Sequence, residues 1–316
     1  MVSALPTVAS SPLAWTAQSL ATQLWQLSPT DAVALDIDTL RCWGDDQADP
    51  IAAWQPKTLG LPAIHALAEA IRDRLDRGPG FCLVRGMAAG QARWLQRLTY
   101  LAVGSALGEV LENYGRLYDV KDRDVCYRTQ AVPVSMTRES TGFHTDSSAR
   151  AVKPDYIALL CLQPGQFGGE NRLCSAVTVR NYLVRTAPDA LELLHQPLIR
   201  DVVTPGADRD LSRIRANAFP IFEPAGPFMF RYMRYWIETG HRRAEMPLSP
   251  HQIAALDALD EALEQPSHIH RLRMAKGDQL WVNNRCLAHD RTAYIDDPGN
   301  PRTMVRLWVQ RALTSR

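Results

Sequence analysis

From about residue 110 the chain runs as short apolar segments, each cut off by a cluster of turn formers. IALLCL (157–162) stops at QPGQFGGEN, PIF (220–222) stops at EPAGP, and DQLWV (278–282) stops at an Asn pair. RTMVRLWVQ (302–310) closes the series. Runs this short suit strands rather than helices, and regularly spaced short strands predict a sandwich or barrel.

The first hundred residues have a different texture. LPAIHALAEAIRDRLDR (61–77) places apolar residues at helical spacing, and RGPG stops it before a short strand, FCLVRG (81–86). A second helix is expected over 91–108, with two more over 178–195 and 249–265, the last capped by Ser249. FRYMRYW (230–236) reads as a core strand with one exposed edge. The predicted class is α+β with a mainly β core. Residues 1–30, rich in Ala, Ser, Thr and Pro, are expected to form an arm packed on the body, with 31–316 as one domain.

Composition narrows the function classes. Apolar content of 46% and charged content of 22% describe a globular chain. A net charge of +1 gives no general attraction to nucleic acid or to a membrane surface, so neither partner is expected. No stretch approaches the ~20 apolar residues of a membrane span. The six cysteines form no CxxC pair, which suggests reduced thiols and a cytoplasmic protein. The start lacks a basic region and an apolar run, so no signal peptide is expected.

The chemistry begins at FHTDSS. On a strand, residues i and i+2 share a face, so His144 and Asp146 converge. Alone, this pair is also what an ordinary polar strand end looks like. His289, after a strand-like segment and an NN turn, adds a second imidazole. Two histidines and one carboxylate make the facial triad of non-haem Fe(II) oxygenases, although zinc accepts the same ligands.

RTMVRLWVQ separates these readings. Period-two alternation puts Arg302, Met304, Arg306, Trp308 and Gln310 on one face. If that face is interior, the two arginines need anions, because an unpaired buried charge is costly. The alternative is surface pairing with Asp296 and Asp297.

The order FHTD, GGEN, NNRxLAHxRTAY, RxxxRLW resembles the taurine dioxygenase-like (TauD/TfdA) Fe(II)/2-oxoglutarate oxygenases and their clavaminate synthase-like relatives, over roughly residues 78–312. The resemblance implies a double-stranded β-helix, or jelly roll, with flanking helices. It implies His144, Asp146 and His289 as iron ligands and Arg302 as the partner of the far carboxylate of 2-oxoglutarate. Arg306 matches an arginine that contacts co-substrate or an anionic substrate group. Asn171 stands in GGEN where the family has threonine. Asp146 occupies the position that halogenases of the family vacate for halide, so halogenation is disfavoured.

Candidate substrate contacts are Asn113, Tyr118, Lys121 and Asp122 in LENYGRLYDVKDRD (111–124), with Ser147 and Arg234; each also fits a solvated loop or a core role. His268 and His270 share i, i+2 spacing but have no adjacent carboxylate. The expected activity is an Fe(II)/2-oxoglutarate-dependent dioxygenase that consumes O2. It would hydroxylate an unactivated C–H of a small polar, amino-acid-like metabolite, free or carrier-bound. Desaturation, epoxidation, zinc-dependent hydrolysis and a non-catalytic binding protein are the alternatives. Homo-oligomeric assembly is left open.

Overall fold

The computed structural model describes residues 10–125, 134–201 and 210–311. Seven strands build the core: β1 (Phe81–Val84), β2 (Tyr156–Gln163), β3 (Asn171–Ser175), β4 (Ile269–Leu272), β5 (Gln279–Asn283), β6 (Leu287–Arg291) and β7 (Thr303–Arg311). The larger sheet runs β1-β5-β2-β7, with the short strand Gln26–Leu27 outside β1 and Gly108–Val110 outside β7. The smaller sheet runs β4-β3-β6, all antiparallel.

Both faces of the larger sheet are buried, which explains its near-continuous apolar strands. Phe81, Leu83, Ile157, Leu280, Met304 and Trp308 point to the smaller sheet and meet Leu173, Leu272 and Leu287 there. The alternate set, including Cys82, Ala158, Leu160, Trp281, Val305 and Leu307, packs under the helices Asp31–Asp45, Pro62–Asp76 and Arg93–Leu107. The period-two reading of RTMVRLWVQ therefore holds: Val305 and Leu307 face helices, and Met304 and Trp308 face the interior. Leu307 is 1% exposed, so truncation to alanine costs about 2–5 kcal/mol. Cys174 and Ala288 of the smaller sheet pack against the helices Ala176–Thr186, Pro188–Leu194 and Pro250–Leu263. The result is a mainly β jelly-roll core with helices on both outer faces.

Three expectations need correction. The 178–195 helix is two helices, because Pro188 has no N–H to give and drives Ala187 out of helical geometry (φ −152°, ψ 62°). FRYMRYW is not a strand. Its only β pairing among the described residues is the bridge Phe222–Phe230, and a helix begins at Arg234 (Arg234–Arg243). The backbone of Tyr232 is spent on the HTD segment instead: Thr145 N donates to Tyr232 O at 2.8 Å, and Tyr232 N donates to Thr145 Oγ1 at 3.1 Å. The HTD segment itself is a one-residue bridge followed by a turn, not a regular strand.

The Ser249 signal matches. Ser249 caps Pro250–Leu263 in a reciprocal box with Gln252, at 3.2 and 2.9 Å. The described part of the N-terminal segment buries Trp15 and Trp25, and Trp15 Nε1 donates to Pro79 O at 2.8 Å.

Candidate metal and co-substrate site

His144 and His289 are joined through their backbones. His144 N donates to His289 O at 3.0 Å, and His289 N donates to His144 O at 2.9 Å. This bridge ties the segment before β2 to β6 and sets the two rings 4.4 Å apart. Asp146 follows in the turn, where Asn284 brackets it. Asp146 N donates to Asn284 Oδ1 at 2.8 Å, and Asn284 Nδ2 donates to Asp146 O and Pro154 O, both at 3.0 Å. The convergence expected of a strand pair is thus produced by one bridge and one asparagine clamp.

Asp146 Oδ1 lies 3.6 Å from both His144 Nε2 and His289 Nε2. The three candidate ligand atoms lie within 4.8 Å of one another, and no other cluster of three or more His, Cys, Asp and Glu among the described residues does this. His144 Nδ1 lies 2.9 Å from Gly142 O. A carbonyl only accepts, so Nδ1 carries the proton and Nε2 keeps its lone pair for a metal. Trp308 Nε1 donates to Asp146 Oδ2 at 2.7 Å, and Arg306 Nη1 lies 3.5 Å from the same oxygen. Burial alone would raise the Asp146 pKa. Arg306 and the two imidazoles outweigh it and hold the carboxyl well below the usual range, so it is a ready anionic ligand.

Arg302 is 1% exposed, and its Nε and Nη1 have no hydrogen-bond partner among the described residues. Surface pairing with Asp296 and Asp297 is not what the structure shows. Asp296 takes the backbone N–H of Arg302 at 2.8 Å, and Asp297 takes that of Gly299 at 2.9 Å. The guanidinium stacks instead on Tyr294, 4.9 Å from the ring centre. Burial lowers its pKa.

The GG of GGEN makes room here. Gly169 has φ +69°, and a Cβ on it would come 3.3 Å from Arg302 Nε. Asn171 opens β3 with its amide Nδ2 buried and unpartnered. A cation and an amide donor, both buried and facing one cavity, fit a carboxylate end of a small dicarboxylate. The three-residue cluster fits a metal that leaves coordination positions open.

Arg291, at the end of β6, also lies over Tyr294, 4.8 Å from the ring centre. Burial, and then the neighbouring Arg302 charge, bring it down to about 10. Arg306 lies over Trp308 and Tyr118 at 4.5 and 5.0 Å.

One cavity takes in the triad, Asn171, Arg302, Arg306, Tyr118 and Ser147. Asn113, Lys121, Asp122 and Arg234 are not in its lining. Asn113 and Lys121 are exposed, Asp122 pairs with Arg138 at 2.8 Å, and Arg234 pairs with Glu238, Asp257 and Asp260 at 2.5, 2.9 and 3.0 Å. His268 is buried with Nδ1 on Ala262 O at 2.7 Å, and His270 packs on Trp25 and Phe81, so these two form no metal cluster. Sequence reasoning missed Asn284, Arg150, Asp201 and Arg291. It placed Trp308 on the arginine face without assigning it a partner.

A jelly roll that gathers two histidines and a carboxylate beside a buried, anion-seeking arginine defines the class of non-haem iron, 2-oxoglutarate-dependent dioxygenases. Residues 47–308 match the family described as "Taurine catabolism dioxygenase TauD, TfdA family", and the chain belongs to that family. It is therefore a 2-oxoglutarate-dependent dioxygenase, with Fe(II), 2-oxoglutarate and O2 as its cofactors.

Among curated proteins it is 25% identical to FR-33289 synthase of Streptomyces rubellomurinus (strain ATCC 31215) over 263 residues, covering 80% of this chain and 75% of that protein. It is 30% identical over 184 residues to a uridine-5'-phosphate dioxygenase of Streptomyces sp, covering 55% of this chain and 63% of that protein. Among solved structures, an asparagine oxygenase in complex with Fe(II), 2S,3S-3-hydroxyasparagine and succinate superposes with a TM-score of 0.68 at 17% identity, over 90% of this chain and 93% of that one. The non-haem iron oxygenase OrfP, in complex with Fe, succinate and (3R,4R)-dihydroxy-L-Arg, gives 0.66 at 16% identity, over 92% and 94%. No helix among the described residues is long and apolar enough to cross a membrane.

Proposed function

We propose that this dioxygenase hydroxylates an unactivated C–H bond of a small polar, amino-acid-like metabolite that carries an anionic group, releasing succinate and CO2. The observation that carries the co-substrate half is the buried Arg302 guanidinium with two unpartnered donors beside the triad.

His144, Asp146 and His289 would hold Fe(II), and Arg302 with Asn171 would hold the far carboxylate of 2-oxoglutarate. Bound together, metal, co-substrate and O2 supply an oxidant strong enough to take hydrogen from an unactivated carbon. The protein's own part is position. Asn284 fixes the Asp146 backbone, Trp308 orients its carboxylate, and the Gly142 carbonyl fixes the His144 tautomer.

Charge balance in the cavity supports an anionic substrate. Asp201 is paired with Arg243 and Asp290 with Arg172, so their charges are already compensated. Arginines outnumber carboxylates in the lining, with Arg150, Arg291, Arg302 and Arg306 against Asp146, Asp201 and Asp290, and Arg306 and Arg150 lie 5.8 and 6.0 Å from the Tyr114 ring centre. A carboxylate or other oxyanion of the substrate fits between them, with Tyr118 and Ser147 as further contacts. The relatives crystallised with hydroxyasparagine and dihydroxyarginine support the amino-acid-like half of the reading.

The test is anaerobic addition of Fe(II) and then 2-oxoglutarate to metal-free protein. A weak visible charge-transfer band that requires both additions, and is lost in Asp146→Ala and Arg302→Ala, is expected. Candidate amino acids and their anionic derivatives are then screened by succinate release. Absence of the band, with tight Zn(II) binding in its place, would overturn the reading.

A further inference from the structure

The stretch 137–141 leads into the first metal ligand, and it hangs from the end of β6 and the residues just beyond. Arg291 donates from Nη1 to Thr137 O at 3.0 Å and from Nη2 to Glu139 O. Tyr294 N donates to Arg138 O at 3.2 Å. Two residues therefore hold three consecutive carbonyls. The hold is closed at its far end, where Thr141 N donates to Arg291 O at 3.3 Å and Arg291 N donates to Thr141 Oγ1 at 3.1 Å. Arg138, within the same stretch, pairs with Asp122 at 2.8 Å, four residues along the chain from Tyr118. Thr141 and Tyr118 both face the cavity.

The residues that hold this wall are also the surroundings of Arg302. Arg291 and Arg302 lie 4.8 and 4.9 Å from the centre of the same Tyr294 ring. Both are buried, and neither has an ion pair with a carboxylate among the described residues. Among the described residues, Arg291 Nε, the Tyr294 hydroxyl, and Arg302 Nε and Nη1 are buried without hydrogen-bond partners. Two like charges beside one ring repel, and the Arg302 charge is one of the causes that bring Arg291 down. An anion seated on Arg302 relieves that repulsion for both, and so favours the arrangement in which Arg291 grips the wall.

We infer that Arg291 is a positioning residue that couples the far carboxylate of 2-oxoglutarate to the 137–141 wall, so that co-substrate binding firms the substrate side of the cavity. The inference rests on the assignment of Arg302 as the co-substrate anchor. Coupling of this kind is reciprocal: whatever holds the wall also tightens the co-substrate.

The experiment is hydrogen exchange, read by mass spectrometry, on anaerobic Fe(II)-loaded protein with and without 2-oxoglutarate and no substrate. The proteins are wild type, Arg291→Gln, Arg291→Lys and Arg302→Gln, each checked by thermal melting. In wild type, 2-oxoglutarate slows exchange in peptides covering 137–141. In Arg291→Gln that slowing disappears, while the charge-transfer band still forms with a co-substrate Kd raised by about tenfold, a typical coupling magnitude. Fe(II) affinity stays unchanged. Arg291→Lys, which keeps the charge but can reach fewer carbonyls, recovers part of the slowing and carries the test if the glutamine variant does not fold.

Equal slowing in wild type and in both Arg291 variants would overturn the inference. So would a wild-type protein that forms the band with no change in 137–141. A wild type that forms no band at all would instead overturn the co-substrate assignment, which separates the two failures.

Discussion

Trp308 donates its indole N–H to Asp146 Oδ2 at 2.7 Å, which leaves Oδ1 turned towards the Nε2 atoms of both His144 and His289. The strand that follows directly on Arg302 thus also aims the Asp146 carboxylate. Replacing Trp308 with Phe keeps most of the packing and removes the donor. Outer partners of this kind are worth about 10–100-fold in metal affinity. An anaerobic Fe(II) titration should show a loss in that range, with the melting temperature little changed. Unaltered affinity would mean that the indole only packs.

Arg302→Gln removes a buried cation whose Nε and Nη1 have no hydrogen-bond partner among the described residues. Truncating one partner of a buried charged contact costs about 2–5 kcal/mol, so the 2-oxoglutarate Kd should rise by more than about 30-fold. The same change relieves an uncompensated charge, so the apo protein should be no less stable. Calorimetric titration and a urea melt on one preparation check both halves.

Gly168 has φ +68°, and a Cβ there would fall 2.2 Å from Ala293 O. Gly168→Ala should destabilise the fold by more than about 1 kcal/mol. It should also weaken 2-oxoglutarate, because the displaced turn carries Gly169 and Asn171. A variant with native stability and native co-substrate affinity would contradict the close approach.

Lys153 is 6% exposed, and burial first, then the charges of Arg231 and Arg285, push it down to about 7. In the unfolded chain a lysine stays protonated to about 10.4. Between these values the unfolded state binds more protons than the folded one, so stability rises with pH across that window. The slope from this one group is at most about 1.4 kcal/mol per pH unit. Lys153→Met should flatten it, as urea unfolding at a series of pH values would show. An equal slope in the variant would place the proton elsewhere.

The readable parts of this molecule were those set by local period. Alternation in RTMVRLWVQ separated Val305 and Leu307 from Met304 and Trp308 because both faces of β7 are buried. His144 and Asp146 were readable as a close pair, although a bridge and a turn, rather than a strand, bring them together. Asn284 was not legible as a clamp. Its amide acts on Asp146, 138 residues away, and only the tertiary fold creates that contact. Arg234 sits in an aromatic and basic run that fits a strand or a helix equally well. The decision came from its three carboxylates, one a helical turn on and two on Pro250–Leu263.

The clamp across 138 residues also sets a timetable. Synthesis proceeds at about 5–20 residues per second, so His144 and Asp146 leave the ribosome roughly 7–28 seconds before Asn284 and His289. Until then the nascent chain lacks one of the three side chains proposed to hold iron. Under that reading the metal enters only after the bridge and the clamp have formed. This reverses the order in a zinc finger, where the ion assembles the chain. A shortage of iron during synthesis would therefore leave a folded protein that can be loaded afterwards.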